Sequence, residues 1–143
     1  MKERVIALGF FDGVHLGHGA LLRRAAEEAA LRGCTPAVFT FDRPPKEVVT
    51  GVPCPLINSP EDRRDLVRRL YRIQDVLMVP FDREMMTTPW DDFIVRILVG
   101  RYHAVHLVAG HDHHFGHRNQ GTPELLAQKC AQLGLGCDII PKV

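Results

Sequence analysis

The stretch "LGFFDGVHLGHGALL", residues 8–22, decides what fold and what kind of site the chain predicts. An apolar run ends at Gly9, two histidines then lie three residues apart around a glycine, and a helix-forming pattern follows. The unpaired backbone amides that open a helix carry a partial positive charge and bind anions. His15 and His18 have i,i+3 spacing, so both rings can point the same way if the helix begins near His15. The stretch therefore predicts a phosphate site where a strand passes into a helix.

Glycines and histidines in this stretch suit the needs of such a site. Gly9 can end the strand and let a flat ring lie against the backbone, because it has no Cβ. Gly13 and Gly17 give phosphate oxygens the same access. Each histidine ring donates at least one hydrogen bond, and donors fixed in advance stabilise the charge that grows on an α-phosphate during transfer. His15 and His18 are therefore the candidate catalytic residues.

The rest of the chain alternates short apolar runs with amphipathic helical patterns. Strands are predicted over residues 4–10, 36–41, 76–81, 104–110 and 137–140, and helices over 19–33, 60–73, 89–99 and 122–133. Apolar strands joined by helices predict an α/β fold, a parallel sheet of about five strands with helices on both faces. Ligands of such sheets bind beyond the carboxyl ends of the strands. The loops after strands one, two and four are therefore the informative ones.

Helix starts follow a repeated signal, a hydroxyl residue followed by proline. Ser59, Thr88 and Thr122 each precede a proline and are predicted to cap the helices that follow. The proline-rich residues between 42 and 59 are predicted to form a long loop. The run "EDRRDLVRRLYR", residues 61–72, is interpreted as a solvated helix face rather than a nucleic-acid patch.

Composition excludes several classes of protein. The chain has 143 residues, which fits one domain, and a formal net charge of +1 from 18 basic and 17 acidic side chains. That balance gives no electrostatic case for a nucleic-acid or membrane partner. The four cysteines match no zinc pattern and are expected to be free thiols in a reducing compartment. No apolar run is long enough to span a membrane. We expect a cytoplasmic protein, and the sequence does not determine its oligomeric state.

The run from Gly9 to His18 matches the motif Gly-x-Phe-Asp-Gly-Val-His-x-Gly-His. It resembles the opening of the FMN adenylyltransferase (FAD synthetase) module of bacterial bifunctional riboflavin kinase/FAD synthetases. The His-x-Gly-His element is shared with other nucleotidylyltransferases, and the Phe-Asp-Gly-Val prefix narrows the resemblance. "TFD", residues 40–42, is similar to the family's Thr-Phe-Asp-Pro-His-Pro loop, with Pro45 as its last proline.

The segment "GHDHHFGHRNQG", residues 110–121, extends the resemblance. It is similar to the family's Gly-Glu-Asp-Phe-Arg-Phe-Gly segment with its trailing arginine and glycine. The matching residues are Gly110, Asp112, Phe115, Gly116, Arg118 and Gly121. The residues that depart are His111, His113 and His114.

The resemblance implies a Rossmann-like domain in which the phosphate of FMN attacks the α-phosphorus of ATP, giving FAD and pyrophosphate. Mg²⁺ would be carried with ATP, without a protein metal ligand. His15 and His18 would be the catalytic residues. The implied ATP-binding residues are Gly9, Phe10, Phe11, Asp12, Gly13, Gly17, Gly110 and Asp112. The implied flavin-binding residues are Asp42, Pro45, Asp112, Phe115 and Arg118.

Two departures leave alternatives open. The family's second signature, Ser-Ser-Thr-x-Ile-Arg or close to it, does not occur before Val143. We therefore expect residues 1–143 to be a single domain that is truncated at its C-terminus, without a riboflavin kinase domain. One alternative is a nucleotide- or flavin-binding domain with little or no catalysis. Another is a nucleotidylyltransferase with a different phosphate-bearing acceptor, which the altered loops motivate.

Other histidines and the single tryptophan have simpler interpretations. The cluster "HDHHFGH", residues 111–117, is interpreted as a solvent-facing loop rather than a metal site, because it has no cysteine partner and no helical register. His103 and His106 are expected to be surface or satisfied core residues. Trp90 is expected to pack rather than to stack on a flavin.

Overall fold

The computed structural model describes residues 2–11, 16–53, 56 and 59–141, and residues 16 and 17 for their backbone only. A sheet of five parallel strands forms the centre. The strands are β1 Arg4–Leu8, β2 Thr35–Phe41, β3 Asp75–Val79, β4 Ala104–Gly110 and β5 Gly136–Ile140. Their order is β3-β2-β1-β4-β5. The predicted α/β class and the number of strands are confirmed.

Helices connect the strands and cover the sheet. They are α1 Leu16–Arg32, α2 Pro45–Thr50, α3 Pro60–Tyr71, α4 Arg83–Met86, α5 Trp90–Asp92 and α6 Pro123–Leu133. A π-helix, Phe93–Arg101, continues α5, and a 3₁₀ turn, His117–Asn119, precedes α6. Gly33 ends α1 with a φ of +68°, as the sequence predicts. No described helix has the length and apolar character that a membrane crossing requires.

Both faces of the sheet are buried, which explains the continuous apolar strands. Along β1, Val5 and Ala7 pack under α1 and α3, while Ile6 and Leu8 pack under the π-helix and α6. Successive strand residues point to opposite faces, and all four of these side chains are at most 2% exposed. The core therefore consists of two apolar layers separated by the sheet.

Register brings the carboxyl ends of the strands to one edge. Leu8 is paired with Phe39, and β2 continues to Phe41 beside Val79 of β3. On the other side of β1, β4 runs on to Gly110. The loops that follow β1, β2 and β4 therefore meet at this carboxyl edge, where the sequence places its candidate site.

Capping confirms two predicted helix starts and corrects the third. The side chains of Ser59 and Thr122 accept hydrogen bonds from backbone amides three residues on, at 3.1 and 3.2 Å. The prediction for Thr88 is wrong, because its hydroxyl donates to the carbonyl of Glu84 at 2.8 Å and so completes the end of α4.

Two short helices were not predicted. Helix α2 lies within the region predicted to be a long loop, since Pro45 opens a helical turn. Helix α4 follows β3 directly, because the side chain of Asp82 caps it by accepting from the amide of Met85 at 2.9 Å. The strand predicted over 76–81 consequently ends at Val79.

Candidate functional site

A cavity of about 720 Å³ opens at the carboxyl edge, between the ends of β1 and β2 and the loop after β4. Its size falls in the range of small-molecule sites. Its walls are mainly aromatic. The rings are those of Phe10, Phe39, Phe41, Phe81, Phe93 and Phe115. Such walls suit a flat apolar group that needs desolvation.

The charged side chains that line the cavity carry one sign of charge. Lys46 of α2 and Arg118 supply the cations, and His113, His114 and His117 also line the cavity. Among the described lining residues there is no carboxylate. Neither cation forms an ion pair within the described part of the chain. The cavity is therefore suited to a planar ligand with an anionic end.

Gly9 and Phe11 follow β1 and pack against each other next to α1. Phe11 has a φ of +61°, and its side chain is 1% exposed. A Cβ placed on Gly9 would lie 2.7 Å from Cζ of Phe11. The sequence predicts that Gly9 admits a flat ring, and the ring against its backbone is the protein's own Phe11. The buried ring meets His18 edge-to-face, with 5.0 Å between the ring centroids, and so supports it from the interior.

The structure describes only some of the remaining residues of the predicted phosphate site. His18 lies in the first turn of α1 and is half-buried. Gly17 is described only through its helical backbone. His15, Asp12 and Gly13 lie outside the described residues.

The loop after β4 is held against α5. Phe115 exchanges two backbone hydrogen bonds with Gly121, at 3.2 and 2.8 Å. Gly116 has a φ of +79°, and a Cβ there would lie 2.6 Å from Cα of Trp90. The amide of His117 donates to the carbonyl of Thr88 at 2.8 Å. These contacts fix Phe115 at the cavity wall and bring Arg118 to its rim.

The histidine cluster divides between solvent and cavity. His111 and His114 are exposed, as expected, but His113 and His117 are half-buried and line the cavity, so the solvent-facing interpretation is wrong for these two. The ring of His113 lies nearly parallel to Phe115, with 5.8 Å between centroids. Burial lowers the pKa of His113 to about 4, the nearby His114 adds to the effect, and Asp112 opposes it. His113 is therefore neutral near pH 7.

Predicted flavin-side residues separate into lining and supporting residues. Pro45 and Phe115 line the cavity directly. Asp42 instead accepts a hydrogen bond from the amide of Phe81 at 3.1 Å, and so acts through the ring of Phe81. Asp112 is exposed beside Gly110, where a Cβ would lie 3.3 Å from its Oδ1.

Trp90 behaves as the sequence predicts, whereas His106 lies in the core with only one of its two ring nitrogens in a hydrogen bond to a described residue. Trp90 is half-buried and packs on the apolar core. His106 is 4% exposed, and its Nε2 lies 2.8 Å from Oδ2 of Asp138. Glu28, His106 and Asp138 lie close enough together to hold a metal ion. Arg24, however, donates to both carboxylates, at 3.0 Å to Asp138 and 2.7 Å to Glu28, so the group is a network of ion pairs.

Sequence reasoning missed a buried arginine behind the cavity. Arg63 lies within the run interpreted as a solvated face, yet it is 1% exposed. Its i,i+4 spacing to Val67, also 1% exposed, is the signal that places it on the apolar side of α3. Lys46 and Phe81 also line the cavity, although the sequence analysis does not name them as site residues.

The fold and the site together define a class of protein. A parallel sheet in the order β3-β2-β1-β4-β5 with a cavity at its carboxyl edge is a Rossmann-like α/β domain. The family model described as FAD synthetase matches residues 1–143, and the chain belongs to the FAD synthetase family.

Curated relatives agree with this assignment. The chain is 33% identical over 128 residues to the bifunctional riboflavin kinase/FMN adenylyltransferase of Listeria monocytogenes, covering 88% of this chain and 40% of that protein. The protein of the same name from Escherichia coli strain K12 is 35% identical over 137 residues, with 94% and 42% covered. The Bacillus subtilis protein of that name is 31% identical over 143 residues, with 99% and 44% covered. The chain thus spans less than half the length of these relatives.

A solved structure has the same fold. It is described as a macrolide-efflux protein from Streptococcus pneumoniae and superposes with a TM-score of 0.84 at 25% sequence identity. The match covers 99% of this chain and 46% of that one.

Proposed function

We propose that this domain transfers the adenylyl group of ATP to FMN. A phosphate oxygen of FMN attacks the α-phosphorus, the bond from that phosphorus to the β-phosphate oxygen breaks, and FAD and pyrophosphate leave. The observation that carries the proposal is the aromatic cavity with basic side chains, in which the lining residue Gly9 contacts Phe11 and Phe11 in turn contacts His18 in the first turn of α1. Such a reaction depends on positioning and charge stabilisation rather than on a covalent intermediate.

The ATP side would lie between the end of β1 and the start of α1. His18 donates a hydrogen bond to a phosphate oxygen, and the helix amides attract the same charge. We assign the second ring to His15 and further contacts to Asp12, Gly13 and Gly17, on the strength of the family motif. The remaining ATP contacts are assigned to Gly9, Phe10, Gly110 and Asp112. Phe11 supports His18 instead of touching the nucleotide with its buried ring.

The flavin ring would occupy the aromatic cavity. Pro45 and Phe115 contact it, and Asp42 contributes by holding Phe81 at the wall. Lys46 and Arg118 also line the cavity, where they attract the phosphate of FMN. Stacking and desolvation then hold the ring while the cations orient the attacking oxygen.

Mg²⁺ would enter with ATP. We assign phosphate and water oxygens as its main ligands, as is common for magnesium on nucleotides. The ion would neutralise part of the triphosphate charge. The cytoplasmic location and the absence of a nucleic-acid partner remain predictions.

The test is the reaction itself, performed with the product of the complete reading frame that contains residues 1–143. The protein is incubated with FMN, ATP and Mg²⁺, and the products are separated by chromatography. FAD with an equal amount of pyrophosphate supports the proposal. Absence of FAD contradicts it. In that case calorimetry with ATP and FMN identifies a binding domain, and a panel of other phosphate-bearing acceptors identifies a different acceptor.

A further inference from the structure

Arg63 occupies a position where the helix pattern calls for an apolar residue. The cap at Ser59 fixes the start of α3, and the amide of Arg63 donates to the carbonyl of Ser59 at 2.9 Å. The side chain therefore enters the protein one turn after the helix begins. It is 1% exposed, although it carries a guanidinium.

The guanidinium joins the end of β2 to the segment that follows β1, and both line the cavity. One nitrogen donates to the carbonyl of Phe10 at 2.9 Å, and the other terminal nitrogen donates to the carbonyl of Phe41 at 2.8 Å. The carbon at its centre lies 4.2 Å from the centroid of the Phe10 ring. The hydroxyl of Thr40 strengthens the junction, because it donates to the Phe10 carbonyl at 2.8 Å and lies 3.4 Å from Arg63.

Both carbonyls belong to residues whose rings line the cavity. Phe10 follows β1 on the way to the histidine motif, and Phe41 ends β2. We propose that Arg63 is a positioning residue, which sets the cavity-lining rings of Phe10 and Phe41 relative to the phosphate-binding start of α1. The kinetic part of this inference rests on the proposed function, whereas its structural part does not.

Arginine is the side chain that this position requires. Its planar fork reaches two carbonyls in different directions and lays a flat cation on an aromatic ring. Lysine offers one compact ammonium, which cannot make both bonds with the same geometry. The substitution Arg63→Lys therefore retains the charge and removes the junction.

For Arg63→Lys we expect kcat/KM for FMN to fall by about 100-fold, because a displacement of about 1 Å between reacting groups costs that much. The KM for ATP should change by less than this, because on the ATP side the variant displaces Phe10, whereas His18 in the first turn of α1 keeps its place. A general loss of structure would instead lower the melting temperature and affect both substrates alike.

Arg68→Lys is the matched control. Arg68 belongs to the same helix, and its Nε donates to a backbone carbonyl, that of Gln74, at 3.0 Å. It is exposed and does not line the cavity. Its replacement should leave both kinetic constants unchanged.

Thr40→Val is a second variant with nearly the same shape, and it removes the hydroxyl's bond to Phe10 and its contact with Arg63, while both bonds from Arg63 to the carbonyls remain. It should change kcat/KM for FMN in the same direction as Arg63→Lys, by roughly tenfold or less. An NMR comparison of backbone amides supplies a readout that needs no reaction, since the signals near Phe10 and Phe41 should shift in Arg63→Lys.

The possible failures can be told apart. If the parent protein forms no FAD, the proposed function is wrong, and the amide shifts alone decide the role of Arg63. If Arg63→Lys folds and the signals of Phe10 and Phe41 stay in place, the inference is overturned. It is also overturned if that variant retains kcat/KM for FMN within about twofold of the parent value.

Discussion

The sheet has an amino edge, where its strands begin, and a carboxyl edge, where they end. Similar charged side chains have different roles at the two edges. At the amino edge, Arg4 binds Asp75 at 2.6 Å and the carbonyl of Tyr102 at 2.9 Å. Further along, Arg24 and His106 share Asp138. At the carboxyl edge, Lys46 and Arg118 have no acidic partner among the described residues, and they face a cavity.

Positive φ occurs at both edges, for example at Arg72 and His103 of the amino edge. Several residues of the carboxyl edge adopt positive φ, among them Phe11, Gly116 and Arg118. Such conformations are costly for most residues and persist where surrounding contacts hold them. The amino edge thus satisfies its charges internally, whereas the carboxyl edge keeps its cations available for a ligand. The four predictions below test this division, and their order follows the size of the expected effect.

Replacement of His18 by alanine should have the largest effect. If its ring acts as one preorganised donor, kcat should fall by about 10²–10³, or roughly 2.7–4 kcal/mol. Substrate binding should change less, because the bond strengthens in the transition state. Steady-state kinetics with FMN and ATP measure both effects.

His103→Asn is a suitable control for this experiment. His103 stands at the amino edge with a φ of +57°, a conformation that asparagine tolerates. Its replacement should leave kcat unchanged. An unaltered kcat in His18→Ala would remove His18 from the mechanism.

Gly116→Ala should test the strained carboxyl edge. Its φ of +79° and ψ of −179° belong to a region open almost only to glycine, and the new methyl would meet the backbone of Trp90. We expect the free energy of unfolding in urea to fall by about 3 kcal/mol, with weaker FMN binding.

Gly134→Ala separates the two causes. Gly134 has a φ of +74° but open space around it, so its replacement should cost only about 1 kcal/mol. Equal losses in the two variants would show that the contact with Trp90 contributes nothing.

Asp138→Asn should test the contribution to stability of the ion pairs that Asp138 forms with Arg24 and His106. Burial alone would raise the pKa of Asp138, but hydrogen bonds from His106 and Arg24 outweigh it, so the pKa is lowered. A carboxyl whose folded pKa lies below its unfolded value stabilises the protein above the unfolded pKa. That contribution is lost as the pH falls through the folded pKa.

The free energy of unfolding of Asp138→Asn should therefore be lower by roughly 1–2 kcal/mol near neutral pH, and the difference should shrink in acid. Catalysis should be unaffected, since Asp138 does not line the cavity. The exposed pair Asp65–Arg69, at 3.2 Å, provides the control Asp65→Asn, which should cost no more than about 0.5 kcal/mol. A loss in Asp138→Asn that persists in acid would contradict the electrostatic explanation.

His113 should give the smallest effect near neutral pH, because its contribution to stability changes only as the pH falls. Its folded pKa of about 4 lies below the ordinary value of 6.5. The folded state therefore favours the neutral ring, and stability should decline as the pH falls from about 6.5 to about 4. NMR titration of the ring protons measures the pKa, and His113→Phe should reduce this slope in urea unfolding. A ring that titrates near its ordinary pKa would contradict the described burial.

Sequence patterns predict the strands and the position of the cavity at the carboxyl edge well, because strands that are buried on both faces need continuous apolar runs. They fail where a single contact decides. The role of Thr88 depends on whether its hydroxyl meets the helix before it or the one after it, and both are allowed by the local sequence. The unpredicted helix α4 depends likewise on the cap at Asp82.

The candidate site follows the same rule. The family motif locates the loops, but Arg63 belongs to no motif and reads as a charged surface residue. Its burial depends on the carbonyls of Phe10 and Phe41, which come from other strands. Likewise, the local sequence does not reveal that the ring against Gly9 is Phe11, because this depends on the positive φ of Phe11.

Because of the strand order, each part of the cavity lining comes from a different segment of the chain. One part of the lining follows β1, and other parts follow β2, β3 and β4. Substitutions in the loop after β4, such as the histidines at 113 and 114, therefore alter one part of the lining while the histidine motif after β1 retains its own strand and helix. In the proposed reaction, a change in one loop can therefore alter the preference for the phosphate-bearing acceptor without changing the residues assigned to the phosphates of ATP.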